Sequence, residues 1–298
     1  MTEPMSDQDW LTERFEAHRG HLRGVAYRML GSLAEADDAV QESWIRLSRS
    51  DTSDVENLRA WLTTVVARVC LNQLRARRAR RESPLEVHVA DPILSPQDGI
   101  DPEHEALLGD SIGLALLAVL ETLTPAERVA FVLHDVFAVP FDEIAPIVGR
   151  SSDATRQLAS RGRRRVQGAP VPDTNLDGQW AVVDAFLAAS RDGDFERLIA
   201  VLDPDVVLRA DGGVARPRMV QLVRGATDVA TNAMLFRRLA ASATRTLVNG
   251  APGGVVWGPD GRPFAVLAFT VAGGRIVAVD VLADPDRLAR LDLAIARP

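Results

Sequence analysis

Apolar positions recur at helical intervals through the first half of the chain and give way to alternating, strand-like runs in its last third. Leu11, Phe15, His18, Leu22, Val25 and Met29 fall three or four residues apart and predict one face of a long helix that Gly31 ends. Ser32-Leu33-Ala34-Glu35 then has the form of a capping box, which satisfies N–H groups left free at a helix start. The helix it opens carries Ala36, Val40, Trp44 and Leu47 on one face and Asp37, Asp38, Gln41 and Glu42 on the other. A polar loop from Ser48 to Asp54 precedes a third helix, with Leu58, Leu62, Val65 and Val69 inward.

Helical spacing resumes near Ser111. Thr124-Pro125-Ala126-Glu127 is a second capping box, with proline at the first helical position, where no N–H is needed. Phe141 to Val148, the turn Gly149-Arg150-Ser151-Ser152 and an arginine-rich helix from Asp153 together have helix-turn-helix spacing. Pro146 removes a donor from the first of these helices, and Gly162 is expected to cost the second roughly 1 kcal/mol relative to alanine.

The character changes again near Asp177. Two helical stretches, Trp180–Arg191 and Phe195–Leu202, lead into a β-type run over Asp205–Asp211, and a further helix is predicted over Gly225–Ala241. Three β-rich runs follow, divided by the turn signals Gly258-Pro259-Asp260-Gly261 and Gly273-Gly274. Helices first and an antiparallel meander last predict an α+β domain.

Composition adds limits. The 298 residues are 47% hydrophobic and 25% charged, ordinary for a globular protein. No stretch approaches the ~20 apolar residues of a membrane span, and the polar, acidic start MTEPMSDQDW does not resemble a signal peptide. The single cysteine, Cys70, excludes an internal disulfide framework, fits a reducing cytoplasm, and is expected to be a packed thiol.

A net charge of −7 by itself argues against a nucleic-acid partner, but the distribution reverses that reading. Ala67 to Arg81 holds six arginines and no acid, and Ala154 to Gln167 holds five, again with no acid. Phosphates feel charges only within about a Debye length, ~8–10 Å, so local clusters matter more than the total. Between the clusters, Glu82 to Asp110 has eight acidic residues, four prolines and no lysine or arginine, and is expected to be extended. A second linker is expected over 169–176, around Pro170 and Pro172.

From Val171 onward there is no histidine, cysteine, tyrosine or lysine. A base in this block would have to be an aspartate raised by burial, with Asp211, Asp228 and Asp280 as candidates. Trp180, Phe186, Met219, Met234, Phe236, Trp257, Phe264 and Phe269 are candidates to line an apolar pocket, although at these spacings each is first of all a core residue.

The segments FEAHRGHLRGVAYRMLGS, AEADDAVQESWIRL and NLRAWLTTVVARVCLNQLRARRARR together resemble the sigma-2 domain of extracytoplasmic-function (ECF) sigma factors of the sigma-70 family. LTPAERVAFVLHDVFAVPFDEIAPIVGRSSDATRQLASRGRRRV is similar to their sigma-4 domain, and FLAASRDGDFERLIAVLDPDVVLRADGG to a SnoaL-like (NTF2-like) domain. The resemblance implies a multidomain fold: two all-α domains, sigma-2 (9–81) and sigma-4 with its helix-turn-helix (111–168), then an α+β NTF2-like cone (177–298). The acidic linker takes 82–110 and the second linker 169–176. It implies core RNA polymerase as partner for Asp37, Asp38, Gln41 and Glu42. For the promoter −10 element it implies Ser50, Asp51, Asn57, Asn72, Arg75, Arg77, Arg78, Arg80 and Arg81. For the −35 element it implies Ser152, Asp153, Thr155, Arg156, Gln157, Ser160, Arg161 and Arg164, with the run Arg163 to Arg165 on phosphates. Asp211-Gly212-Gly213 and Asp284-Pro285-Asp286-Arg287-Leu288 match, with changes, short regulatory motifs of the extension in related factors.

The expectation is therefore an alternative sigma factor that directs promoter-specific initiation, with a fused domain regulating it in cis. It needs no cofactor, metal or catalytic residue, and no membrane; an unidentified small molecule in the third block is the one further ligand in view. Two alternatives stay open: a ligand-sensing helix-turn-helix regulator, and a SnoaL-type isomerase or cyclase with a DNA-binding appendage.

Overall fold

In the computed structural model, residues 7–50, 55, 57–80, 87–96, 114–240 and 242–297 are described. The chain forms two compact units, Met1–Glu82 with Val119–Gly168, and Ser83–Ala118 with Ala169–Pro298.

The first unit is helical. α1 (Asp7–Leu30), α2 (Leu33–Leu47) and α3 (Leu58–Arg80) pack on one another. Gly31, at φ +68°, ends α1 as the pattern predicts. Leu22, Tyr27, Met29, Leu30, Leu47, Leu62 and Leu71 are fully buried there. Only half of the first capping box forms: Ser32 Oγ accepts from Glu35 N–H, while the Glu35 carboxylate turns to Arg77. A short linker strand β1 (Leu94–Ser95) and the helix α4 (Leu114–Glu121) come next in the chain.

α5 (Pro125–Phe131) carries the complete second box, Thr124 with Glu127. It runs into a π-helical turn, Val132–Val136, closed by Ala138 at φ +54°. α6 (Phe141–Val148), the left-handed Gly149, and α7 (Ser152–Gln167), capped by Ser151, form the helix-turn-helix. Gly162 has a reason to be there: a Cβ would lie 3.0 Å from Phe131 Cβ, so the glycine lets α7 lie close on α5. Buried Arg128 of α5 donates to Met29 O at 2.8 Å and pairs with Glu121 at 2.8 Å, tying the two helical blocks together.

The second unit packs helices on a curved sheet. Its elements run α8 (Leu176–Asp192), α9 (Phe195–Val201), β2 (Leu202–Asp211), β3 (Gln221–Arg224), α10 (Ala226–Leu235), α11 (Arg237–Ala240), β4 (Ala243–Val248), β5 (Ala251–Trp257), β6 (Pro263–Ala272), β7 (Arg275–Leu282) and α12 (Pro285–Leu288). The sheet has seven strands in the order β1-β4-β5-β6-β7-β2-β3.

Three expectations change here. The meander has four strands, not three, because Asn249 (φ +51°) and Gly250 (φ +77°) make a further hairpin, the Asn-Gly signal of a two-residue turn. The sheet is mixed, since β2 pairs with β7 in parallel. The helix expected over Gly225–Ala241 breaks at Phe236 into α10 and α11.

Nor are the linkers featureless. Of the first linker only residues 87–96 are described, and there Val89, Ala90, Asp91, Ile93, Leu94 and Ser95 are buried and β1 adds an edge strand beside β4. In the second linker, Asp173 accepts from Gly273 N–H and Gly274 N–H at 2.8 and 2.9 Å, fastening this stretch to the β6–β7 turn.

Candidate functional site

Alternation along α2 leaves Asp37, Asp38 and Gln41 exposed and Glu42 half-buried, while Ala36, Ala39, Val40, Ser43 and Leu47 face inward. Arg23 of α1 donates to both Asp37 oxygens, at 2.6 and 3.1 Å, and Arg46 bridges to Glu42. The carboxylate face is thus ordered by neighbouring arginines while still open to water.

On α3, Asn72, Arg75 and Arg78 are exposed. Arg77 departs from the expected group: its side chain is mostly buried, donates to Leu30 O at 2.9 Å and pairs with Glu35. It staples α3 to the end of α1 and is spent structurally. Asn57 caps α3, accepting from Ala60 N–H at 3.1 Å, and Ser50 Oγ donates to Arg46 O at 2.7 Å just past α2. Asp51, Arg81 and the Arg80 side chain lie outside the described residues.

On α7, Asp153, Arg156, Gln157, Arg161 and Arg164 are exposed, and Ser152 and Ser160 are half-buried. Arg156 pairs with Asp153 at 2.8 Å, and Ser152 donates to Asp142 at 2.6 Å. Thr155 departs from the expected group: it is fully buried and its hydroxyl donates to Ser151 O at 2.9 Å, so it cannot reach a base. The signal was present, since Thr155, Ala159 and Gly162 share the i, i+4, i+7 face that packs inward. Arg163 pairs with Asp135 and Arg165 with Glu127, while Arg164 is exposed.

Three described side chains in the first unit have shifted titration, and in one of them, Arg28, burial lowers the guanidinium. Burial, with Arg59, His18 and Arg28 adding positive charge, lowers His21 to about 4. Arg59 can only donate, so its contact with His21 Nδ1 at 3.1 Å marks that nitrogen as the acceptor, and Nε2–H faces Thr63 Oγ1 at 3.2 Å. Burial pushes the Cys70 thiol well up, so it is a packed, unreactive group.

The two motifs of the third block meet. Asp211, at the end of β2, accepts from Gly213 N–H at 3.1 Å, and Asp284 caps α12. A Cβ on Gly213, at φ +58°, would lie 2.1 Å from Asp284 Oδ2, and one on Gly212 would lie 2.3 Å from Arg216 O. Only glycine allows both approaches. Arg287 of α12 reaches Asp211 at 2.7 Å and, from the acidic linker, Asp91 Oδ1 at 2.7 Å through Nε. It also donates to Val89 O, and Val89 N–H donates back to Asp211 at 3.2 Å. At the other end of the segment, Asn249 accepts from Ile93 N–H at 2.6 Å and donates through its own N–H to Ile93 O at 2.7 Å. Residues 87–96 are therefore clamped at both ends.

The candidate bases do not gather at one site. Asp280 is buried in a two-bond pair with Arg209, at 2.6 and 2.9 Å. Burial would lower Arg209, but the charge and hydrogen bonds of Asp280 outweigh it and raise the guanidinium. Asp228 is exposed, and Asp211 belongs to the clamp. Among the described residues no cluster of histidine, cysteine and acid side chains could hold a metal, and no helix is long and apolar enough to cross a membrane.

The comparisons agree with this layout. Sigma-70 region 2 matches residues 14–80, and Sigma-70, region 4 matches residues 113–166. The chain is 39% identical over 289 residues to the ECF RNA polymerase sigma factor SigJ of Mycobacterium tuberculosis, covering 92% of this chain and 91% of that one. It is 36% identical over 292 residues to the probable ECF sigma factor SigI of the same species, covering 95% and 97%. The crystal structure of M. tuberculosis SigJ superposes with a TM-score of 0.77 at 36% identity, over 95% of this chain and 99% of that one. The chain belongs to the extracytoplasmic-function sigma factors of the sigma-70 family, as an alternative sigma factor with an NTF2-like domain at its C-terminal end.

Proposed function

We propose that this sigma factor docks on core RNA polymerase through the α2 face of Asp37, Asp38, Gln41 and Glu42. The exposed side of α3, with Asn72, Arg75 and Arg78, holds the −10 region. From α7, Asp153, Arg156, Gln157, Ser160 and Arg161 read base edges of the −35 element, while Arg164 holds phosphate. Support comes from exposure: these side chains are open or half-open, while Arg77 and Thr155 are turned inward.

The third block acts in cis, as a clamp on the linker and not as an enzyme. The observation that carries this reading is Arg287, which binds Asp91 and Val89 O of the linker together with Asp211. A linker gripped by the third block is restrained where it joins the two promoter-reading blocks, so the strength of the grip sets activity.

Run-off transcription with sigma-free core polymerase tests both parts. The full chain is expected to give promoter-specific transcript, Asp38→Arg to lose core binding, and Arg287→Ala to change transcript yield without loss of core binding. Transcript yield unaltered by Arg287→Ala would remove the clamp, and failure of the full chain to bind core would remove the docking face.

A further inference from the structure

Phe141 opens α6, and its ring meets side chains from both neighbouring elements, His134 of the π-helical turn and Arg156 of α7. The His134 imidazole stacks on it, with ring centroids 3.8 Å apart and planes 28° from parallel. That imidazole is itself fixed. Val139 O can only accept, so His134 Nδ1 carries a proton and donates to it at 3.0 Å. The Arg156 guanidinium carbon lies over the same Phe141 ring, 5.4 Å from its centroid. This is inside the ~6 Å at which a cation feels the negative face of an aromatic ring.

The register of the two helices produces this meeting. Ser152 donates to Asp142 at 2.6 Å, which holds the start of α7 against the start of α6. Phe141 is next to Asp142 in the chain, and Arg156 is one turn on from Ser152, on the same face of α7. Arg156 has a second partner, Asp153, at 2.8 Å. Those two side chains are 62% and 88% exposed, so their pair contributes little by itself to fixing the guanidinium. The Phe141 ring comes from another helix and is braced by His134, so it is the firmer of the two contacts.

We propose that Phe141 is a positioning residue for promoter readout, holding the Arg156 fork for two-bond pairing with a guanine of the −35 element. Guanine fits because its major-groove edge shows two acceptors, O6 and N7, which match the paired donors of a guanidinium. A free arginine side chain has about 2 kcal/mol of rotamer entropy to lose. One held before contact loses less on binding, and the gain falls on the base that it pairs with. A phosphate contact would carry no such preference, since phosphates are alike at every step. The proposal rests on the reading of Arg156 as a base-edge contact.

The full chain with core polymerase is tested on promoters in which each −35 base pair is changed in turn. Arg156→Ala is expected to lose discrimination at one G·C pair, by roughly 5- to 100-fold. Phe141→Leu keeps apolar bulk without the aromatic face, and should lose about 2- to 5-fold at that same pair alone. Phe141→Tyr restores the face and should return discrimination to the wild-type level. In the Arg156→Ala background, Phe141→Leu should cost nothing further at that pair.

Full discrimination in Phe141→Leu, beside a loss in Arg156→Ala, overturns the positioning role and leaves the base reading standing. An equal loss at every pair in Phe141→Leu, or no recovery in Phe141→Tyr, does the same, because either marks a ring that serves only packing. A loss in Arg156→Ala at an A·T pair overturns the guanine assignment. If Arg156→Ala changes nothing, or weakens all sequences alike and lowers the salt slope by about 1, the base reading and the proposal fall together.

Discussion

Arg287 and Asp91 stand 196 positions apart in the chain and share a guanidinium–carboxylate contact, 2.7 Å from Nε to Oδ1, with both side chains largely withdrawn from water. Around them the Asp211 carboxylate and Val89 O complete the hydrogen bonding. Removing the cation leaves two buried carboxylates facing each other.

Arg287→Ala is accordingly expected to destabilise the second unit by about 3–5 kcal/mol, the cost typical of breaking a buried pair from one side. Arg287→Lys should recover only part of this, since a single ammonium cannot reproduce the fork. Thermal unfolding of the full chain, together with proteolysis across 87–96, checks both.

Asn249 separates turn from clamp. Asn249→Gly keeps the positive φ and the backbone bond to Ile93 O, and should cost roughly 1 kcal/mol for the lost side-chain acceptor. Asn249→Ala loses that bond and strains the turn as well, adding roughly another 1 kcal/mol. Equal melting temperatures for the two variants would contradict this division.

Arg75 and Arg77, two residues apart on α3, should behave oppositely. Arg75→Ala is expected to leave melting unchanged and to lower the salt slope of promoter binding by the holoenzyme by about 1. Arg77→Ala should lower the melting temperature of the first unit, because it removes the tie to Leu30 O and Glu35. Its own effect on the salt slope should be small.

His21 makes the first unit acid-sensitive. Its pKa is 6.5 unfolded and about 4 folded, so above pH 6.5 neither state holds the proton and its contribution is complete. Between 6.5 and 4 the unfolded chain takes up a proton that the folded chain refuses, and stability falls; below 4 the loss is complete. A His21→Gln variant should flatten this window in chemical denaturation measured across pH.

Gly162→Ala runs against helix propensity. Alanine would gain roughly 1 kcal/mol in an open helix, but here its Cβ meets Phe131 Cβ at 3.0 Å. Overpacking of ~1–3 kcal/mol outweighs the gain, so the melting temperature should fall. A rise would mean that α5 and α7 can move apart without cost.

The helical blocks were legible because their signals are local. Three-and-four spacing, the Thr124–Glu127 box and Gly149 each specify structure within a few residues. The inward turn of Thr155 was legible too, from the small-residue face it shares with Ala159 and Gly162. The Asn249-Gly250 turn also carries a local signal, the Asn-Gly pair itself, which the count of three β-rich runs passed over. The buried linker segment 87–96 was not legible. Val89, Asp91 and Ile93 have no period of their own, and the partners that bury them lie far along the chain. The parallel β2–β7 pair was hidden for the same reason: register between distant strands is a property of the closed sheet and not of either strand.

The clamp also has a direction in time. Asp91 leaves the ribosome 196 residues before Arg287, and at ~5–20 residues per second that interval is about 10–40 s. In the course of it α5, α6 and α7 are synthesised as well, so α1 to α7 are complete before Arg287 is available to the segment 87–96. Each newly made molecule therefore passes through an interval on the ribosome in which Asp91 has no Arg287 to meet, and any restraint that rests on this contact begins only once α12 has been made.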